Sequence, residues 1–252
     1  YSISNVYVAD LNLIGGIALS PGYGLNLIGF YFNGASRARA VLTNVTIENC
    51  EFNGKASLLK VEQSTPETYQ ACLIKDLTIK NSVVAQSTVI TILPQILNTL
   101  TNSDVQTFSA ENIVIFNTTM KNAGVFRMVS YYQNIFLNEL FKFELNGGLL
   151  SQVKFIGENE INPFEVLGCE MIIANLIVEQ NTFSDCKFAT ESVKLSTIIF
   201  ANSTFRDLVV EESASFFDFS LSQTSFITLD WDYYNAEEKI LEVEFRPIIF
   251  IP

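Results

Sequence analysis

The chain has 252 residues, of which 48% are hydrophobic and only 17% are charged, and its net charge is −12. This acidic balance disfavours nucleic-acid binding, and no apolar run approaches the roughly 18 to 20 residues that cross a bilayer. Histidine is absent, which removes the commonest general base and metal ligand, so we expect no metal site and no cofactor.

A short β motif broken by asparagine is clearest at residues 44–54, which read NVTIENCEFNG. Apolar residues alternate on both sides of Asn49, and strict alternation would turn Asn49 inward as well. Asparagine tolerates the left-handed backbone conformation, so we predict a corner at Asn49 and another at Asn53-Gly54. The predicted inward residues are Val45, Ile47, Cys50 and Phe52.

The same motif recurs along the chain at irregular intervals of 32, 36 and 22 residues between successive copies. The copies begin at Asn5, Asn44, Asp76, Asn112, Asn175 and Thr197, and a weaker unit lies near Leu140. The corner position is predicted at Asp10, Asn49, Asn81, Asn117 and Asn202, and it slips by one residue to Asn181 in the Asn175 copy. A fixed motif with irregular spacing predicts short coils with variable loops.

We predict three short strands per coil, stacked in parallel at about 4.8 Å, with equivalent asparagines hydrogen-bonded above one another. This pattern resembles the right-handed parallel β-helix of the pectin-lyase-like superfamily over roughly residues 5–210. The resemblance implies an all-β solenoid with irregular loops and says little about activity. A β-sandwich is the alternative fold.

Three N-x-[ST] sequons begin at Asn44, Asn117 and Asn202. We expect a ladder asparagine to be buried, whereas a glycosylated asparagine must face solvent. Asn44 is therefore the expected glycan carrier, because it precedes a strand, while Asn117 and Asn202 are assigned to the ladder.

The four cysteines form two couples that are close in sequence, Cys50 with Cys72 and Cys169 with Cys186. We interpret them as two disulfides formed in an oxidising compartment, and the alternative is four buried free thiols. The sequons and the paired cysteines together predict an extracellular or cell-surface protein.

The pattern changes near the C-terminus. Residues 227–233 and 241–245 alternate around a turn at 235–239, which predicts an antiparallel hairpin that caps the last coil. The predicted domains are thus parallel coils over 1–224 and a cap with an apolar tail over 225–252. This tail either packs on its own domain or pairs with a neighbouring chain, and its apolar residues are Ile248, Ile249, Phe250 and Ile251.

One local cluster combines acidic and aromatic residues: Asp230, Trp231, Asp232 and Tyr233. We interpret it as a candidate glycan contact, and the alternative is a strand that is half core and half solvated. The resemblance implies polysaccharide lyases or hydrolases, but the arginines are scattered and no paired carboxylates stand beside a basic partner. We therefore predict no catalytic residues and a protein that is not an enzyme.

These features favour an extracellular structural or adhesive glycoprotein, a subunit of a filament or surface coat that assembles through its coil ends or its tail. The expected partners are copies of itself or other extracellular chains, with carbohydrate as a further partner. A carbohydrate-binding module or a polysaccharide-degrading β-helix enzyme is the alternative.

Overall fold

The computed structural model describes residues 2–14, 26–32, 38–63, 70–93, 106–129, 141–157, 163–167, 170–191, 197–210, 215–219 and 227–231. These residues form strands, which in chain order are β1 (Ser2–Ala9), β2 (Asn12–Ile14), β3 (Asn26–Phe32), β4 (Ala38–Glu48), β5 (Glu51–Gln63), β6 (Gln70–Lys80), β7 (Val83–Leu93), β8 (Gln106–Phe116), β9 (Thr119–Lys121), β10 (Gly124–Val129), β11 (Phe141–Ser151), β12 (Lys154–Ile156), β13 (Phe164–Leu167), β14 (Glu170–Glu179), β15 (Thr182–Ser184), β16 (Lys187–Glu191), β17 (Thr197–Arg206), β18 (Val209–Val210), β19 (Ser215–Phe219) and β20 (Ile227–Trp231).

The strands stack into two parallel sheets. The first is eight-stranded in the order β1-β4-β6-β8-β11-β14-β17-β20, so its neighbours are one coil apart along the chain. The second is 12-stranded and contains the remaining strands, with β5 paired to β2, β3 and β7. Each described pairing, such as β4 with β6 and β11 with β14, is parallel. The protein is therefore an all-β parallel β-helix, as predicted, and not a β-sandwich.

Single residues in the left-handed conformation form the corners. Among the described residues, every non-glycine residue with a positive φ is Asn, Asp or Gln. The first corner lies at Asn5, Asn44, Asp76, Asn112, Gly147, Asn175 and Asn202, and the second lies five residues later at Asp10, Asn49, Asn81, Asn117, Gln152, Gln180 and Asp207. These short polar side chains tolerate the conformation better than β-branched ones, which is why the apolar alternation breaks there.

A third corner divides each coil further. It lies at Gly54, Gln86, Asn122 and Asp185, all with positive φ and each five residues after the second corner. The pairing register of β5 with β7 shifts between Asn53 and Ala56. The second coil thus contains four straight segments, namely residues 38–43, 45–48, 51–53 and 56–63, and not the three that the sequence predicts. The sequence motif covers only the middle two of these segments.

Apolar columns fill the interior. The predicted inward residues Val45, Ile47, Cys50 and Phe52 are all buried, which confirms the assignment of that motif. Aromatic rings stack between coils, with the Phe155 and Phe183 centroids 5.0 Å apart and the rings nearly parallel. Burial of each such side chain contributes about 1.5 to 3 kcal/mol to the free energy of unfolding.

The coils differ in length because of segments outside the described residues. These segments lie before the strands that follow the third corner (15–25, 158–162 and 211–214) or before strands of the eight-stranded sheet (33–37, 64–69, 94–105, 130–140, 168–169, 192–196 and 220–226). None lies between the first and second corners, whose spacing is constant from Asn5 to Asp207.

The parallel sheet continues beyond the predicted domain boundary at residue 224. Strand β20 pairs with β17 in parallel, from Ile198 with Ile227 onward. The first arm of the predicted hairpin is therefore a further strand of the solenoid, while its turn and second arm lie outside the described residues. No helix in the described part of the chain is long and apolar enough to cross a membrane.

Candidate functional site

A ladder of side-chain amides follows the first corner up the solenoid. Asn44 Nδ2 donates to Asn5 Oδ1 at 2.8 Å, and Asn112 Nδ2 donates to Asp76 Oδ1 at 2.7 Å. Asn175 Nδ2 likewise donates to Asn146 Oδ1 at 2.8 Å. The predicted ladder runs through the second corner, so this ladder at the first corner was not predicted. Its asparagine side chains are exposed, and so are Asn81 and Asn117 of the predicted ladder, so the expected burial of ladder asparagines is wrong.

A second ladder follows the second corner, where Asn117 Nδ2 donates to Asn81 Oδ1 at 2.8 Å. The sequence alignment placed Asn202 in this column, which is wrong. Asn202 Nδ2 donates instead to Asn175 Oδ1 at 2.6 Å, so Asn202 belongs to the first corner and Asp207 to the second. The predicted corner at Asn181 is also wrong, because Gln180 adopts the positive φ.

Inward-facing polar side chains bridge neighbouring coils directly after the second corner. Ser82 Oγ accepts from the Cys50 backbone N–H at 3.1 Å and donates to its own coil at Lys80 O. Asn181 is fully buried and bridges two backbone groups, accepting from Val153 N at 2.7 Å and donating to Leu150 O at 2.8 Å. These residues satisfy backbone groups that would otherwise be buried without a partner.

The three predicted glycosylation sites lie on the ladders. Asn44, Asn117 and Asn202 are all exposed, and in each the Nδ2 that would carry a glycan is also the ladder donor. The expected conflict between burial and glycosylation therefore does not arise. The predicted distinction between Asn44 and Asn202 is wrong, because both occupy the first corner.

The predicted Cys50–Cys72 disulfide is not formed: both residues are buried free thiols, as is Cys186. Cys72 aligns with Ala40, before the first corner, whereas Cys50 follows the second corner, so a strand segment separates their positions. Burial raises the pKa of the Cys72 thiol to about 12 and that of Cys186 to about 11. Cys169 lies outside the described residues, but because Cys186 is free the predicted Cys169–Cys186 disulfide is not formed either.

Outward-facing polar residues form a charged row on the 12-stranded sheet, and nothing in the sequence motif predicts it. The row consists of Lys60, Thr91, Arg127 and Glu165, which are register neighbours on β5, β7, β10 and β13. Lys60 is only 4% exposed and its Nζ lies 2.7 Å from Glu62 Oε2. Arg127 Nε lies 2.9 Å from Glu165 Oε2.

The charged row neutralises itself, because each cation has its own carboxylate. Glu62 and Glu165 are three coils apart, which separates them by roughly 14 Å or more along the solenoid at about 4.8 Å per coil. Paired glycosidase carboxylates stand about 5 to 9.5 Å apart. The geometry of these two residues is therefore unsuited to glycoside hydrolysis.

The interior columns are only partly covered in the first described coil. Val6, Val8, Leu13 and Ile28 are only partly buried, whereas their register neighbours in the next coil are buried. Ile3 is 37% exposed although its neighbour Leu42 is fully buried. Strand β1 is also the edge of the eight-stranded sheet, so this end combines exposed apolar columns with an edge strand.

Other predicted site residues lie at or beyond the limits of the described structure. Asp230 and Trp231 end strand β20, and their side chains are not described, while Asp232, Tyr233 and the tail residues Ile248, Ile249, Phe250 and Ile251 lie outside the described residues. Within the described ranges no cluster of three His, Cys, Asp or Glu residues could hold a metal ion.

Comparisons with known proteins provide little guidance. No family model matches the chain, and no curated protein matches it. Among solved structures, the chain is similar to QnrB1, a plasmid-mediated fluoroquinolone resistance protein, at 12% identity over 84% of this chain and 92% of that chain, with a TM-score of 0.19. A TM-score this low supports no conclusion, so the fold assignment rests on the strand pairing of the chain itself.

Proposed function

We propose that this protein is an extracellular structural or adhesive module that assembles end to end through its N-terminal coil. The single observation that carries the proposal is the open coil end, where inward columns begin with partly exposed Val6, Val8 and Leu13. A stacked solenoid needs a cap or a further coil over such an end. A parallel coil of another subunit supplies both apolar columns and strand pairing.

The corner ladder supports the same mode of assembly. In the four described first-corner bonds the later coil donates an amide hydrogen to the preceding coil, as Asn44 does to Asn5. Asn5 at the open end is exposed and is oriented to continue this pattern into a coil added before it. A head-to-tail contact of this kind is heterologous and does not close, so it propagates into a filament.

The extracellular location rests on the three exposed sequon asparagines. The buried free thiols remove the disulfide argument for an oxidising compartment, so glycan occupancy is now its main test. Mass spectrometry of the protein from its natural source would detect sugar on Asn44, Asn117 or Asn202. We also infer an affinity with the pectin-lyase-like superfamily, supported by the ladders and the stacked interior columns.

The assembly is tested with two adjacent lysine substitutions. Ile3→Lys places a charge at the open end of an interior column, whereas Ser4→Lys adds the same charge on the outward side of the same strand. We expect Ile3→Lys to abolish concentration-dependent assembly in sedimentation velocity, and Ser4→Lys to retain it. Equal assembly by both variants, with unchanged circular dichroism, would contradict the coil-end contact.

The tail offers a second route of assembly, which the same assay separates. Deletion of residues 247–252 removes the apolar tail that could add to a neighbouring chain. Assembly that survives Ile3→Lys but is lost in the deletion variant would replace the coil-end contact by tail insertion. Coil-end stacking predicts the opposite pair of results.

The charged row favours one alternative function, a carbohydrate-binding module for acidic sugars. The Arg127 side chain is 34% exposed beside Glu165, so a sugar carboxylate could compete for it. Trp231 remains the predicted stacking partner. Affinity for acidic glycans that is lost in Arg127→Ala or Trp231→Ala, but kept in the ion-paired control Arg206→Ala, would support this alternative over a purely structural role.

A further inference from the structure

One face of the solenoid is bordered by the first and second corners, which are five residues apart in each of the seven described coils that contain both corners. We call it the short face: the four residues between the first and second corners of each coil, such as Val45–Thr46–Ile47–Glu48. The first and third residues of each segment point inward, and the second and fourth point outward. The segments whose length differs between coils do not lie between the first and second corners. No insertion therefore begins at either border of this face.

The central outer column of the short face carries no charged residue. In coil order it comprises Tyr7, Thr46, Thr78, Val114, Leu149, Ile177 and Thr204. Ile177 is 39% exposed, and Phe116 in the adjacent outer column is 37% exposed. Val114, Phe116, Leu149 and Ile177 thus form an outward apolar patch at the middle of the face, and patches of this kind mark interaction sites.

The outer column next to the second corner, which we call the edge outer column, carries charges in a particular order. When the coil order is reversed, each charge meets a charge of the opposite sign. Its members are Ala9, Glu48, Lys80, Phe116, Ser151, Glu179 and Arg206 in coil order, of which Ser151 is only 4% exposed. Glu48 pairs with Lys80 at 3.1 Å, and Glu179 pairs with Arg206. From Glu48 to Arg206 the signs read minus, plus, apolar, small, minus, plus, so reversal of these six coils brings each charge opposite a charge of the other sign.

We propose that a second copy of this chain packs on the short face about a two-fold axis parallel to the strands. The axis lies between the coils of Phe116 and Ser151. This operation keeps each outer column over itself but reverses its coil order. Lys80 then faces the partner's Glu179, Glu48 faces the partner's Arg206, and Val114 faces the partner's Leu149.

The contact is small. The axis pairs six of the seven described coils, and six coils at about 4.8 Å and four residues at about 3.3 Å give a contact of roughly 29 by 13 Å, or about 380 Å² per partner. Interfaces of this size belong to weak or transient complexes, so we expect a reversible dimer in the micromolar range. The self-complementary charges make its formation dependent on salt. This lateral dimer is independent of the end-to-end contact.

Two charge-reversal variants test the arrangement, and both retain the ion pairs within the chain. One combines Glu48→Lys with Lys80→Glu, and the other combines Glu179→Lys with Arg206→Glu. In a homodimer of either variant, like charges face each other at both ends. In a mixed dimer of the two variants, every facing pair is again opposite in sign.

We expect each variant alone to dimerise at least tenfold more weakly than the parent, and an equimolar mixture to recover the parent affinity as a heterodimer. The measurement is sedimentation equilibrium at low salt, from about 5 to 500 µM, with all chains carrying Ile3→Lys to block end stacking. Circular dichroism and thermal melting confirm that each variant is folded.

Three outcomes would overturn the proposal. A parent chain that stays monomeric up to the highest concentration rules out the dimer. Variants that dimerise as well as the parent place the contact on another surface. Variants that are weakened alone and not rescued by mixing exclude the two-fold pairing of Lys80 with the partner's Glu179.

Discussion

Asn202 donates a hydrogen bond from Nδ2 to Asn175 Oδ1, one coil earlier, at 2.6 Å. Asn175 in turn donates to Asn146, so it occupies the middle of a ladder as well as a left-handed corner with φ of 56°. The residue at this position therefore meets two requirements: it must tolerate the left-handed backbone conformation, and its side chain must form the ladder hydrogen bonds.

Substitutions at Asn175 separate these two contributions. Asn175→Gly keeps the left-handed conformation accessible and loses the ladder bonds, so we expect a loss of about 1 kcal/mol, the net worth of such bonds at the surface. Asn175→Ala loses the same bonds and, unlike Asn175→Gly, keeps a β-carbon in the left-handed conformation without the polar group that lets asparagine tolerate it, so we expect a loss of about 2 kcal/mol in total. Urea denaturation provides the comparison, and equal losses in both variants would contradict a conformational role.

The buried bridge at Asn181 predicts a larger effect. Asn181→Ala leaves the Val153 N–H and the Leu150 carbonyl buried without a partner, at a cost of about 1 to 3 kcal/mol each. Asn181→Ser is the matched control, because Ser82 performs a similar bridge to Cys50 at the equivalent position of another coil. We expect the serine variant to retain more stability in urea denaturation, and the reverse order would contradict the bridging role.

Gly147 occupies a first-corner position that in other coils is Asn or Asp, and its φ is 76°. An added β-carbon would meet only Asn112 N, at 3.8 Å, which is ordinary contact. Gly147→Asn should therefore be neutral or stabilise by up to about 1 kcal/mol, because it reduces the entropy of the unfolded chain. Gly147→Val should destabilise, and thermal melting of the two variants tests the contrast.

The buried thiols predict both low reactivity and an alkaline loss of stability. Burial raises the pKa of Cys72 to about 12 in the folded chain, against about 8.5 when exposed. Below about pH 8.5 both states keep the proton; above it the unfolded state ionises first, so stability falls as the pH rises towards 12. Cys72→Ala, which matches Ala40 in the neighbouring coil, should reduce this pH dependence.

Thiol labelling without reductant provides the direct check. Cys50, Cys72 and Cys186 should react slowly in the native protein at pH 8 and readily in denaturant. Rapid native labelling of Cys72, or its failure to react after unfolding, would contradict the buried free thiol.

The sequence predicts the coil but not its full register. Asn49, Asn81 and Asn117 were identified because each interrupts an alternation that resumes after it, which is a local signal. The copy at Thr197 was misaligned because TIIFANSTF alternates on both sides of Asn202, and only pairing with Asn175 distinguishes the first corner from the second. The constant five-residue spacing to Asp207 is the signal that could have resolved it.

Other features are invisible to a local motif. Gln86, Gln152 and Gln180 adopt positive φ, although glutamine is not a typical corner residue. Gln152 Nε2 donates to Gln180 Oε1 of the next coil at 3.3 Å, a contact that no local motif shows. The charged row runs from Lys60 to Glu165 through coils of unequal length. Its residues are therefore not evenly spaced in the sequence, and no sequence period predicts the row. Cys50 and Cys72 are close in sequence, but two corners separate their positions in the coil. Their closeness in sequence therefore does not bring the two thiols together as a disulfide.

The central claim is end-to-end assembly through the open N-terminal coil. Negative-stain electron microscopy of the intact protein over a range of concentrations tests it most directly, with Ile3→Lys and Ser4→Lys imaged in parallel. We predict filaments that lengthen with concentration for the parent and for Ser4→Lys, and single rods for Ile3→Lys. Single rods of constant length for the parent at every concentration would contradict the account.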